Sequence, residues 1–177
     1  MSDLAAIRRM GRAMALACLA AMIALPLLLT GAWLALPELK RTWPPFAILP
    51  IPAEPEPGLM VAGWLVLLLP LVVLLWGVHR LRRLFLHYAQ GEVFSVDAAL
   101  CLSGFARAVL VWALLQPLAN GAAGAILTLG NPPGQRALAL SLGTGELGAL
   151  AIGLVLLVIG RVMREASRLA DENASFV

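Results

Sequence analysis

The stretch Leu81–Val109, "LRRLFLHYAQGEVFSVDAALCLSGFARAV", is the most polar long segment of an otherwise mostly apolar chain. Arg80, Arg82 and Arg83 cluster at its start, Gly91 interrupts it, and it then runs back into an apolar segment. Leu81, Leu84, Phe85 and Tyr88 recur at the i, i+3, i+4, i+7 spacing of a helical face, with Arg80, Arg82, Arg83 and His87 mostly off it. Gly91 is placed to end this helix in a left-handed cap. Ser95 suits the N-cap of a following helix, with Asp97 in a first turn where the helix dipole favours a carboxylate. The stretch reads helix, turn, helix: a hairpin over residues 79–102 joining two apolar runs, its first arm amphipathic at the headgroup level.

The rest of the chain says what those runs are. It has 177 residues, 61% hydrophobic and 13% charged, with a mean hydropathy of +0.90. Soluble domains carry about 25% charged residues. A soluble core cannot hide this much apolar surface; a bilayer can. Four segments are long enough to cross, at about 14–35, 59–78, 103–129 and 147–162. The first follows Arg8, Arg9 and Arg12, as a signal peptide would. Its apolar run exceeds the 7–15 residues of a signal h-region and no small-x-small cleavage site follows, so it reads as a retained span. Trp64 and Trp76 flank the second span as interfacial anchors.

Lysine and arginine placement orients the spans. One side collects Arg8, Arg9, Arg12, Arg80, Arg82, Arg83, Arg107, Arg161, Arg164 and Arg168; the other has Lys40, Arg41 and Arg136. Positive residues stay inside, so both termini and the middle hairpin are expected in the cytoplasm of a bacterial cell, with the protein in the inner membrane. The pI of about 9.5 then reflects topology. Direct nucleic-acid binding is not expected, because the arginines cap apolar runs rather than line one polar face. The fold class is an all-α, four-transmembrane-helix bundle in a single membrane domain, residues 1–177, with no loop large enough for a soluble catalytic domain.

The first outer loop, "LPELKRTWPPFAILPIPAEPEPG", holds seven prolines, a density that predicts extended rather than helical backbone. In the second, "NPPGQRALALSLGTGEL", Leu138, Leu140 and Leu142 alternate with small residues at strand period. A small extracytoplasmic β-ribbon pairing 46–51 with this segment is expected. Thr144 suits the N-cap of the last span, with Glu146 in its first turn. The tail, 163–177, continues the last helix beyond the bilayer. Arg161/Glu165 and Arg168/Glu172 are expected i, i+4 pairs, and Val162, Ala166 and Leu169 form an apolar stripe. That stripe is expected to touch either the hairpin or a partner.

Chemistry inside the bilayer would announce itself as an ionisable residue within a span. Only Arg107 comes close, about a turn inside the third span, where it can snorkel to the interface. Gln116 and Asn120 share a face of that span near Gly121 and Gly124; interhelical hydrogen bonds explain them, and a transport site is the alternative. Ala13, Ala17 and Ala21, and Ala149 with Gly153, offer small-residue packing faces. Pro26, Pro70 and Pro117 read as kinks that neighbouring helices accommodate. Cys18 and Cys101 have no CxxC or Cys/His context and read as small packing residues. His79 and His87 lie roughly 12 Å apart along a helix, too far to share one metal without other ligands. No HExxH, GxSxG or Walker sequence is present. No cofactor, metal or catalytic residue is expected, and the chain reads as a non-enzyme.

Three segments, "LRRLFLHYAQGEVFS", "NPPGQRALALSL" and "RVMREASRLADEN" with terminal Val177, together resemble a family of bacterial membrane proteins. It is designated domain of unknown function twenty-nine seventy-five. Members look alike in four spans, a Gly-x-x-Phe-Ser/Thr turn (here Gly91, Phe94 and Ser95) and an ending like Glu-Asn-Asp-x-x-Val. This chain departs at Asp97-Ala98, where Glu-Asn is common, and in its ending Glu172-Asn173-Ala174-Ser175-Phe176-Val177. The resemblance implies no reaction. Family members often stand beside a small helix-turn-helix regulator, which implies a membrane-side partner or sequestering role.

The expected interaction surface is Arg82, Arg83, Tyr88, Gly91, Phe94, Ser95, Arg164, Arg168 and Glu172. Its expected partners are the lipid bilayer and a small cytoplasmic helix-turn-helix regulator or a second copy of the chain. The alternatives are a small-solute transporter or permease subunit working around Gln116 and Asn120, and a structural subunit of a membrane complex.

Overall fold

The computed structural model describes residues 2–42, 56–92, 95–132, 140 and 142–174. These are helical almost throughout: α1 (Ser2–Leu34), a short α2 (Leu36–Thr42), α3 (Pro57–Gln90), α4 (Val96–Leu127) and α5 (Thr144–Ala174). Each of the four long helices contains a stretch apolar and long enough to cross a membrane. Each has 31 to 34 residues, about 46–51 Å at 1.5 Å per residue, so each also extends past a hydrocarbon core of about 30 Å.

Local signals set the boundaries. α3 begins on Pro57 in its first turn, where a missing N–H costs nothing. It ends at Gly91, at φ 93°, ψ 4°, whose N–H donates to the carbonyls of His87 and Tyr88. Ser95 is extended, and its Oγ accepts from the Ala98 N–H at 3.1 Å, opening α4. α4 closes on Thr128, whose hydroxyl donates to the carbonyls of Gly124 and Ala125. At α5 the cap falls one residue before the expected Thr144: the Gly143 carbonyl accepts the first helical bond, from Leu147 N–H. Glu146 reaches back to accept from Gly143 N–H at 2.9 Å, half of a capping box.

The proline-rich segment after α1 starts differently from expectation, because Leu36–Thr42 is helical. Pro37 is tolerated in its first turn, Glu38 favours its N-terminus, and the Thr42 hydroxyl donates to the Glu38 carbonyl. The later prolines lie beyond it. Among the described residues there is no strand. The expected ribbon falls on 46–51 and 138–142, which apart from Leu140 and Leu142 lie outside the described residues.

The long helices stand in a row. α1 packs on α3, α3 on α4 and α4 on α5, and α1 does not meet α5. Neighbours run antiparallel: a methyl built on Gly11 would meet the Phe85 carbonyl, whereas Trp33 at the other end of α1 donates to the Met60 carbonyl. The starts of α1 and α4 and the ends of α3 and α5 therefore share one end of the bundle. Central position shows in burial. Over its apolar window α4 is 56% buried in protein, α1 and α5 only 11%.

Small residues make the seams. Ala98, Ala99, Ala106, Ala108 and Ala113 are buried along α4, letting helix axes approach where the backbone itself supplies contact. Gly77 of α3 lies against the Ala108 methyl, Gly153 of α5 against Leu110, and Gly160 of α5 against Ser103. In α1 the contact stripe is Gly11, Ala15 and Cys18; Ala13 and Ala17, expected there, face outward. Large apolar side chains such as Leu27, Leu69, Leu118 and Val158 remain more than half exposed. Water would not tolerate such a surface, and lipid does. Pro26, Pro70 and Pro117 sit within helices that continue through them, and Pro70 is fully buried.

Candidate functional site

Charge gathers at the end of the bundle that holds the α3–α4 turn. Trp76 marks where the apolar body stops: it is exposed, and the Arg80 guanidinium lies 5.0 Å from its ring centroid, a cation–π pair at an interfacial position. The aliphatic stem of Arg80 rests on Gly104 of α4. From Arg80 back to Leu59 is 21 residues, roughly 32 Å of helix, a hydrocarbon thickness. At the opposite end Trp64 Nε1 donates to Thr30 Oγ1 at 3.3 Å, and the Trp33 ring covers Gly63.

The expected interaction residues do not form one patch. Arg82 turns toward α1, close enough to Cys18 to act on its thiol electrostatically; its Nε is buried without a hydrogen-bond partner among the described residues. Arg83 stays exposed beside His87 and Gln90, and His87 Nδ1 lies 2.9 Å from Glu92 Oε2 across the turn. Tyr88 is partly buried against Leu84, Ala98, Cys101 and Leu102, edge-on to Phe85 with ring centroids 6.2 Å apart. The stripe expected at the headgroup level is thus largely covered by protein.

Gly91 and Ser95 act as caps, with the Arg8 guanidinium lying over Gly91, where a cation complements the C-terminal end of α3. Arg164 belongs to the α4–α5 side. Arg168 pairs with Glu165 at 2.9 Å across i, i+3, so the expected Arg161–Glu165 pair does not form. Phe94 lies outside the described residues, as does the side chain of Glu172 and with it the expected Arg168–Glu172 pair.

On the tail, Met163 packs against the Leu84 cluster and Ser167 is buried, its hydroxyl donating to the Met163 carbonyl. These residues, one helical step from Val162 and Ala166, face inward. The Val162, Ala166 and Leu169 stripe, expected to touch either the hairpin or a partner, points away from the hairpin, with Val162 62% and Leu169 49% exposed. Sequence pattern alone missed this because Ser167 and Gly160 look polar or neutral, yet small size is what the seam selects.

Gln116 and Asn120 do not bridge helices. Gln116 Nε2 donates to Asn120 Oδ1 at 3.2 Å on the same helix. They form one wall of a groove of about 270 Å³, with Leu25, Leu28 and Leu29 of α1 opposite and Leu67 and Leu71 of α3 beneath. Cys18 and Cys101 are buried free thiols. No group of His, Cys, Asp or Glu able to hold a metal occurs among the described residues.

Comparisons with curated proteins and with solved structures give no match. A family model described as "Protein of unknown function (DUF2975)" matches residues 32–177, from the end of α1 through the tail, which includes the turn, outer-loop and tail segments singled out above. With four membrane-spanning helices and this match over most of its length, the chain is a multi-pass membrane protein that belongs to the DUF2975 family.

Proposed function

We propose that this is a non-enzymatic protein of the bacterial inner membrane whose arginine-bearing end faces the cytoplasm and docks a small helix-turn-helix regulator, holding it at the membrane. One observation carries the reading. The start of α1, the α3–α4 turn and the end of α5 share one end of the bundle, and the arginines of all four long helices gather there. Positive residues of short loops stay cytoplasmic, which supports a reading with both termini inside. The exposed Val162 and Leu169 supply an apolar stripe ringed by those charges, as a docking interface has an apolar centre and a polar rim. The partner class follows from the family resemblance.

The test is capture of the neighbouring regulator by the full-length protein in detergent, compared with a chain truncated after Arg164. Capture lost on truncation supports the reading. Unchanged regulator activity in a deletion strain overturns it.

A second reading, a small-solute transporter or permease subunit, rests on the groove beside Gln116 and Asn120. Proteoliposome flux that collapses in Asn120→Leu supports it, and flux unchanged by that variant removes it.

A further inference from the structure

Between α4 and α5, at the arginine-bearing end, lies a cleft of about 180 Å³ lined by Ser103, Arg107, Leu157, Arg161 and Arg164. We propose that this cleft binds a phosphate group, supplied in the bilayer by the headgroup of an anionic phospholipid.

Three observations carry the assignment. First, the cleft is built. Gly160 of α5 lies against Ser103 of α4, so the two helices meet closely beside the cleft, and the Ser103 hydroxyl is already used, donating to the Ala99 carbonyl at 2.9 Å. Arg107 Nε donates to the Ser103 carbonyl at 3.2 Å. That bond turns the side chain back along α4 and leaves its terminal nitrogens to the cleft.

Second, the charge is uncompensated. No carboxylate pairs with Arg107, Arg161 or Arg164 among the described residues, and the nearest acid along α5, Glu165, is committed to Arg168. Three cations on one cleft repel each other unless an anion sits between them. Guanidinium groups match phosphate oxygens in a bidentate fork.

Third, the depth is right. Gly104, next to Ser103, carries the stem of Arg80, whose head caps the interfacial Trp76. The cleft thus opens at the level where the apolar body ends and headgroup phosphates begin.

The test is native mass spectrometry of the full chain in nonionic detergent with phosphatidylglycerol, phosphatidylcholine or inorganic phosphate added. The wild type is expected to retain one phosphatidylglycerol under activation that strips phosphatidylcholine. R161Q/R164Q is expected to weaken retention about twenty-five-fold, at roughly fivefold per arginine. R9Q/R12Q, which removes two exposed arginines of the same end outside the cleft, should leave it within twofold. Displacement of the lipid by millimolar inorganic phosphate, or retention of that ion instead of lipid, supports the phosphate site with a free anion as its source. If R161Q/R164Q does not fold, R107Q against R107K asks the same question, with weaker retention expected in the glutamine variant. Equal retention of the two lipids, equal loss in R9Q/R12Q, or no bound phosphate from any source overturns the proposal.

Discussion

Gly160 of α5 lies directly on Ser103 of α4: a methyl group built on the glycine would stand 2.5 Å from the serine Oγ and 3.2 Å from its amide nitrogen. No rotamer of Ser103 relieves the second, tight contact, so the backbones must shift by a few tenths of an ångström. Gly160→Ala is expected to destabilise the chain by about 1–3 kcal/mol, read as a lower melting temperature in detergent. Gly77→Ala, facing the Ala108 methyl at 2.6 Å, should do the same at the α3–α4 seam.

Gly31 and Gly124 provide the control. Among the described residues a methyl there meets nothing within 4 Å, and both lie in regular helix. Alanine is the better helix former by about 0.5–1 kcal/mol, so Gly31→Ala and Gly124→Ala are expected to hold or raise the melting temperature. A loss in either would show that these positions meet a neighbour outside the described residues.

The α3–α4 turn rests on two residues. Gly91→Ala forces a Cβ into the left-handed region, at a cost of about 1–2 kcal/mol, and brings it 3.3 Å from the Arg8 guanidinium. Ser95→Ala removes the Oγ acceptor of the Ala98 N–H, a loss of about 1 kcal/mol. Ser95→Asp, which restores an acceptor, should recover most of that in the same unfolding assay.

Topology is read by reporters. Alkaline phosphatase fused after Gln90 should be inactive and a fusion after Asn131 active, because arginine-rich ends remain in the cytoplasm. The opposite pattern inverts the bundle and removes the docking proposal with it.

Asn120→Leu separates the two readings of the polar pair. The pair is a bond within α4, so its loss is expected to change stability by less than about 0.6 kcal/mol, measured by denaturation in micelles. A large loss would mean that a second chain or a solute completes the site.

The hairpin was legible in sequence because its signals are local. Gly91 and Ser95 cap their helices through bonds to residues within four positions, and such bonds depend on neighbours along the chain. The four apolar segments were legible because lipid asks only for length and hydrocarbon. The seams were not. Ala13 and Ala17 match a packing motif as well as Gly11 and Ala15 do, and choosing between them needs the rotation of α1 about its axis, which α3 decides. In a chain apolar on every side, no polar face betrays that rotation.

The candidate surface divides the same way. Arg82, Arg83 and Tyr88 are close in sequence yet go to α1, to solvent and to the Leu84 cluster. The cleft of Arg107, Arg161 and Arg164 joins residues more than fifty positions apart, and only the approach of Gly160 to Ser103 assembles it. Arg107 was visible as a snorkelling residue, but its company was not.

Because the long helices stand in file, assembly can follow synthesis. Once α1 and α3 have docked, each newcomer finds its only earlier neighbour already seated, and nothing placed before it must be reopened to admit it. A nick between α4 and α5 would then leave a three-helix platform onto which α5, made as a separate peptide, can still settle.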